Sequence, residues 1–312
     1  MMASSNEKRI MCVGLCCLDI VNVCPYYPIE DSVKGSLDYY WQRGGNASNS
    51  CTVLSLLGSN PEFVGTLVKT PEYEFMVEDF AKYNIHIGNC AIYEENTYRC
   101  PVAVIVINIE NGSRTVMAAL KNIIELQYSS FEKIDLKNYS WIHFEGRNNM
   151  ENTEKMMMRI IEYNKTVDQS EIIKISIELE KIKTAHIVPL MKYADYVFIS
   201  KDFAKCFNYY NKEDTVKGFI KEAKPGGVVI CAWGEDGAAA FNGSHDIVTS
   251  NIFPPEKVID TLGAGDTFNA STVLALNSGK SIKEAITYGC KVAGAKCGVN
   301  GYDGIKGMQS LL

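Results

Sequence analysis

No stretch of the 312-residue sequence is apolar for long enough to cross a bilayer. The opening run Met1–Arg9 lacks the apolar core of a secretory signal, so the expected location is cytoplasmic. Metal-type spacing is missing too: there is no Cys-x-x-Cys pair and no His/Cys cluster, which argues against a zinc site. The 11 cysteines are odd in number and scattered, so no disulfide framework is suggested. Several, such as Cys12 and Cys231, lie in apolar runs and read as small hydrophobes of a reduced compartment. A basic excess is absent, and the net charge of −6 speaks against a nucleic-acid partner. Internal repeats, heptads and low-complexity tracts are lacking. What is present is ordinary globular material: 46% hydrophobic and 22% charged residues supply a large core. Asn111-Gly112-Ser113 and Asn242-Gly243-Ser244 match glycosylation acceptors but read as hairpin turns.

Along the chain, Arg9–Leu15 is a nearly continuous apolar run, as a central parallel strand reads, with Asp19 just beyond it. Ile20–Arg43 carries Pro25, Pro28, Gly35 and several tyrosines without helical period, and reads as edge strands and turns. A helix is predicted from Gly45 and Asn46 to Leu57, closed by Gly58, then a strand over Glu62–Leu67 and a helix over Pro71–Tyr83. Ile85–Tyr93, Cys100–Ile109 and Ser113–Ala119 read as β material. From Trp141 to Ala232 strands and helices alternate, the pattern of a parallel sheet. A last helix spans Lys280–Cys297, where Cys290 and Cys297 share a face by their spacing of seven.

Two stretches carry chemistry. Asp260-Thr-Leu-Gly-Ala-Gly-Asp-Thr-Phe268 opens a helix whose first N–H groups have no internal partner, and the positive end of the dipole adds to their pull on an anion. Gly263 and Gly265 permit a tight turn and close approach of a ligand. Asp266 stands in that first turn, where a carboxylate repels an anion. Alone it would merely complement the dipole; as a base it must sit beside a transferring phosphoryl group. The second stretch, Gly44-Gly-Asn-Ala-Ser-Asn-Ser50, opens another helix and sets Asn46 and Asn49 three residues apart on one face. Amides both donate and accept, which suits sugar hydroxyls. Capping is the alternative use of Asn46, but a mid-turn Asn49 is a poor helix former with no such role.

The two runs together resemble the paired signatures of the ribokinase-like (PfkB) carbohydrate kinases, and the resemblance covers nearly the whole chain. Trp41–Cys51, Trp141–Asn148 and Cys231–Trp233 are similar to the ketohexokinase branch. The resemblance implies one α/β domain over 1–312, ribokinase-like, with three α/β/α layers, a mostly parallel central sheet and a small β-sheet lid from about 20–44 and 92–121. It implies ATP-dependent phosphorylation of a ketohexose, D-fructose to fructose 1-phosphate. Asp266 would be the catalytic base, and Gly263, Ala264 and Gly265 the anion hole. Asp19, Gly45, Asn46 and Asn49, with Asp266, would hold the sugar. Arg114 and the loop Gly234, Glu235, Asp236 and Gly237, with Gly263–Gly265, would hold the nucleotide.

Mg²⁺ is implied with ATP. Glu145 and Glu178 end strands near the site and are candidates to face the metal through water. A monovalent cation such as K⁺ would lie at Asp260 and carbonyls near Asn300. The lid would join two protomers in a homodimer, with Asp31 of the partner subunit reaching the sugar site. The sequence departs from the branch at Thr97–Arg99, at Met117–Asn122 and at Ser200-Lys-Asp202, which stands where the family has an Asn-x-x-Glu run. These departures leave the acceptor sugar and the metal ligands open. The alternatives are another acceptor (ribose, a nucleoside, another ketose) or a catalytically silent sugar- or nucleotide-binding protein.

Overall fold

A computed structural model describes residues 8–95, 97–244 and 246–312. In chain order the elements are β1 (Arg9–Gly14), β2 (Cys17–Cys24), β3 (Asp38–Gly44), α1 (Asn46–Leu56), β4 (Pro61–Lys69), α2 (Tyr73–Lys82), β5 (Ala91–Glu94), β6 (Val102–Asn108) and β7 (Ser113–Ala119). They continue with α3 (Tyr128–Phe131), β8 (Tyr139–Glu145), α4 (Met150–Asn164), β9 (Lys174–Leu179), β10 (Tyr196–Ser200), α5 (Lys201–Cys206), α6 (Lys212–Phe219) and β11 (Val228–Ala232). The last are β12 (Ala238–Phe241), β13 (Val248–Ser250), α7 (Ala264–Asn277) and α8 (Ile282–Cys297).

Nine strands form one sheet in the order β13-β12-β11-β10-β9-β8-β1-β4-β5, parallel except for the β11–β12 and β12–β13 pairs. The strand period of two explains why β1 reads as a continuous apolar run. Ile10 and Cys12 enter a core with α1, α2, α7 and α8, while Met11 and Val13 enter a second core with α4, α5 and α6. Both faces are covered, so the molecule is three layers deep. Its parallel strands β1, β8, β9, β10 and β11 bring their carboxyl ends to one edge, where α/β sheets place ligands.

A separate four-stranded sheet has the order β3-β2-β6-β7. One face packs through Val21, Ala103 and Ile105. Exposed apolar side chains of this sheet include Tyr39, Trp41, Val116 and Met117.

The sheets correct four expectations. Asp19 does not end the first strand: after β1 the chain turns at Leu15 and Cys16, and Asp19 lies within β2, paired with Gln42 and Ala103. The small sheet thus takes strands from 17–24, 38–44, 102–108 and 113–119. Residues 91–94, expected in the lid, instead add β5 to the edge of the large sheet. Of the expected strand Ile85–Tyr93 only the last three residues, 91–93, fall in a regular strand, with an isolated bridge between Glu62 and His86 before them. The segment Ile182–Tyr193, which contains Pro189, is 3-10 rather than α-helical, as expected where proline removes a donor. β4 spans Pro61–Lys69 where Glu62–Leu67 was expected, and α2 spans Tyr73–Lys82 where Pro71–Tyr83 was expected. No helix among the described residues is long and apolar enough to cross a membrane.

Candidate active site

The helix α1 begins where β3 ends. Gly45 has φ 97°, and a β-carbon there would collide with the carbonyl oxygen of Leu15. This glycine lets β3 pass directly into the helix against the β1–β2 turn. At the other end Gly58 takes φ 81° and Ser59 N–H reaches back to Leu54 O at 2.9 Å, a left-handed helix stop. Gly45→Ala is expected to lower stability by about 1–3 kcal/mol from backbone strain alone, read as a drop in thermal midpoint.

Asn46 is the first helical residue and makes no cap. Its Nδ2 donates to Glu178 Oε2 at 3.1 Å and Glu180 Oε2 at 2.7 Å. Asn49, on the same face, donates from Nδ2 to Asp266 Oδ2 at 2.7 Å, and its buried Oδ1 has no partner among the described residues. The two asparagines therefore point at acids from two distant parts of the sequence. The helix itself is fixed by Arg43, a residue only 3% exposed. Arg43 donates from Nε to Asp79 at 2.7 Å, from Nη1 to Ser48 O at 3.0 Å and to Ser48 Oγ, and from Nη2 to Thr52 Oγ1 at 2.6 Å.

The helix α7 starts at the second motif. Gly263 precedes it in the left-handed region (φ 74°). Ala264 N–H turns back to Thr261 O at 3.3 Å; among the described residues the N–H groups of Gly263, Gly265 and Asp266 have no acceptor within the chain. Space around Gly265 is open. Asp266 follows at 8% exposure. Burial, then the negative charge of Glu180, push its carboxyl up to about 7, and the Asn49 amide opposes this. A carboxylate whose pKa lies near neutrality, beside unsatisfied amides, has the protonation behaviour of a general base and the surroundings of an anion site.

The neighbouring acids are differently held. Glu178 is buried and accepts from Asn269 at 2.8 Å as well as from Asn46; burial and the nearby carboxylates raise its pKa well above the usual range. Glu145 is pushed up by burial, but Lys181, Arg147 and the N–H groups of Leu15 and Ala47 outweigh this and leave it below its ordinary value. Asp19 is raised to about 6 by burial, with Cys17 and Lys181 opposing. Its carboxylate lies against Gly44, where a β-carbon would strike it.

Arg114, expected over the phosphates, is exposed at the β6–β7 hairpin and donates to Thr261 Oγ1 at 2.5 Å, so the small sheet touches the anion loop. Gly234–Asp236 form a single 3-10 turn after β11, ended by Gly237 at φ 80°. Glu235 is paired with Lys201, and Lys212 donates to Asp236 O at 2.7 Å. This loop lies on the same sheet edge, several strands from β1. Asp31 is exposed in a turn at φ 56°. Cys290 is buried in the core and Cys297 only partly so.

Four residues enter the site that sequence reasoning had not singled out: Glu180 and Lys181 beyond β9, Asn269 on α7, and Tyr302, whose buried hydroxyl has no partner among the described residues. Asn269 was accessible in principle, because it stands one turn after Asp266 on the same face. The other three are brought in only by tertiary folding. Among the described residues no three His, Cys, Asp or Glu side chains are grouped to hold a metal ion by themselves; Mg²⁺ held with a nucleotide needs only one or two carboxylates, and Glu145 and Glu178 stand at the carboxyl ends of β8 and β9. A monovalent cation was expected at Asp260. Lys296 Nζ lies on that carboxylate at 2.5 Å and on Asp260 O at 2.9 Å.

One edge of the three-layer α/β fold thus gathers a helix origin with free amides, a buried carboxylate near neutrality and two asparagines, an arrangement suited to phosphoryl transfer to an alcohol group. The pattern of the pfkB family carbohydrate kinases matches residues 7–304, and the chain belongs to that family. It is 42% identical over 300 residues to ketohexokinase of Mus musculus, covering 96% of this chain and 99% of that protein. Among solved structures it is similar to Giardia lamblia ribokinase, with TM-score 0.80 and 16% identity over 98% of this chain and 97% of that one. The structure of Arabidopsis thaliana ribokinase complexed with ribose and ATP gives TM-score 0.77 and 18% identity over 96% of each chain. These last two likenesses establish the ribokinase-like fold.

Proposed function

We propose that this carbohydrate kinase transfers the γ-phosphoryl group of ATP to a ketohexose, D-fructose, at its 1-hydroxyl. The observation that carries the mechanism is the position of Asp266, buried at the origin of α7 beside amides with no acceptor in the chain. The choice of acceptor rests on the identity with mouse ketohexokinase.

On this reading Asp266 accepts the proton of the attacking hydroxyl. The N–H groups of Gly263 and Gly265, with the helix end, hold charge that develops on the phosphoryl oxygens; positioned donors of this kind are each worth about 3 kcal/mol. Asn46, Asn49 and Asp19 orient the sugar, and the unpaired Oδ1 of Asn49 is an acceptor for one of its hydroxyls. Arg114, resting on Thr261, is placed to move onto phosphate. The turn Gly234–Gly237 borders the nucleotide. Glu145 and Glu178 would face Mg²⁺ bound with ATP through water, and the ion would supply neutralisation of phosphate charge.

The small sheet is proposed to act as the lid and to pair two protomers through its exposed Tyr39, Trp41, Val116 and Met117. In that dimer Asp31 of the partner subunit reaches the sugar site. The test is a coupled assay of the chain with ATP against fructose, ribose and adenosine. The expected outcome is turnover with fructose at a kcat/KM at least tenfold above the others, about 1.4 kcal/mol of discrimination. Preference for ribose or adenosine would overturn the acceptor, and calorimetric binding without transfer would overturn catalysis.

A further inference from the structure

The ammonium of Lys296 lies at the place where the family resemblance led us to expect a monovalent cation. Lys296 is in the last turn of α8 and its side chain is 0% exposed. Its Nζ donates to Asp260 Oδ2 at 2.5 Å and to Asp260 O at 2.9 Å. Asp260 Oδ2 also accepts from Gly301 N–H at 3.1 Å, and its Oδ1 from Leu262 N–H at 2.8 Å. The carbonyl of Cys297 is taken by the N–H groups of Ile259, at 2.8 Å, and Asp260, at 3.3 Å. The ring of Tyr302 lies 5.5 Å from the ammonium, and a β-carbon at Gly263 would strike the hydroxyl of that ring. One buried charge thus ties together the end of α8, the 300–302 turn and the run leading into Gly263. Both carboxylate oxygens and the carbonyl of Asp260, and the carbonyl of Cys297, are thus already committed.

We infer that Lys296 is the resident cation of the anion loop: a positioning residue whose charge holds Asp260, and through Leu262 the amides of Gly263 and Gly265, in the orientation that receives the phosphoryl group. A surface lysine near a helix end would only complement the dipole. This one is buried against a carboxylate and a carbonyl, and both of its acceptors belong to Asp260, six residues before the base. The inference rests on the kinase reading for its catalytic readout.

The test compares the parent, Lys296→Met, and the double variant Asp260→Asn/Lys296→Met. Thermal midpoints and turnover are measured in choline, sodium, potassium and methylammonium chloride at one ionic strength. Lys296→Met in choline should lose about 100-fold in kcat, the size of a small misplacement at the reacting centre, with KM for sugar changed much less. A small cation entering beside Asp260 should restore about tenfold or more of that loss and raise the variant's midpoint by mass action. The double variant, lacking the carboxylate, should show neither ion-specific response.

A Lys296→Met kcat within about threefold of the parent, or a loss that no cation reverses with no ion-specific shift in melting, overturns the inference. Removal of one partner of a buried pair can prevent folding. In that event the double variant decides: kcat near the parent overturns the inference, and a loss of about 100-fold supports it. Absence of turnover in the parent would strike the kinase reading instead, and the melting shifts would still test the cation site.

Discussion

Asp266→Asn is expected to lower kcat for sugar phosphorylation by about 10²–10⁴-fold, the range of a positioned general base, with KM for sugar little changed. The amide keeps size and shape, and its oxygen still accepts from Asn49 Nδ2, so the contact at 2.7 Å survives. What disappears is the capacity to take a proton. Steady-state kinetics check both parts; turnover near that of the parent removes Asp266 from the role of base.

The same carboxyl sets a pH profile. Burial and Glu180 raise it to about 7, so the basic form is lost as pH falls below about 7, and kcat/KM should fall about tenfold per unit on the acid side. The variant should lack that limb. Stability moves the other way. The carboxyl's native pKa lies above its ordinary 3.8, so between about pH 4 and 7 the folded state binds more protons than the unfolded one. Stability is therefore lost as pH rises through that window. Asp266→Asn should melt above the parent at pH 8, with the difference shrinking toward pH 4. A carboxylate held at a cost to the fold, and active because of where it is held, is the usual trade at a functional site.

Much of this site was legible because short runs carried it. Gly44–Ser50 and Asp260–Phe268 each place glycine, small residues and one or two polar groups within a single helical turn, and the structure brings Asn49 of the first onto Asp266 of the second. β1 was legible because burial on both faces leaves an unbroken apolar run. The parts that were missed have physical reasons. The break at Leu15 and Cys16 that moves Asp19 to the second sheet is two apolar residues long, and only Gly14, inside the apolar run of β1, precedes it. β12 is largely alanine, a weak strand former, and β13 has three residues. Glu180 and Lys181 follow a strand and stay partly solvated, with side chains 42% and 46% exposed; only the fold brings them to Asn46 and Glu145. Lys296 reads as a dipole-complementing last-turn cation, and only the fold buries it against Asp260.

Arg43→Met is expected to give the largest loss of stability, about 3–5 kcal/mol, as for breaking a buried ion pair from one side. The guanidinium is nearly out of water and makes four hydrogen bonds, to Asp79, Ser48 O, Ser48 Oγ and Thr52. It also stacks 4.1 Å from the centre of the Phe80 ring. Methionine fills part of the volume and satisfies none of these groups, so Asp79, on α2, would be left beside an apolar side chain. Because Ser48 lies between Asn46 and Asn49, loosening Arg43 also frees the first turns of α1. The thermal midpoint should fall by roughly 5–10 °C, and KM for sugar should rise more than kcat falls, since the base on α7 is untouched. Arg43→Lys should recover only part of the loss, because one ammonium cannot reproduce the planar fork that spans α2 and two turns of α1. A melting curve for Arg43→Met that overlays the parent's would show that Asp79, Ser48 and Thr52 hold α1 in place without the guanidinium.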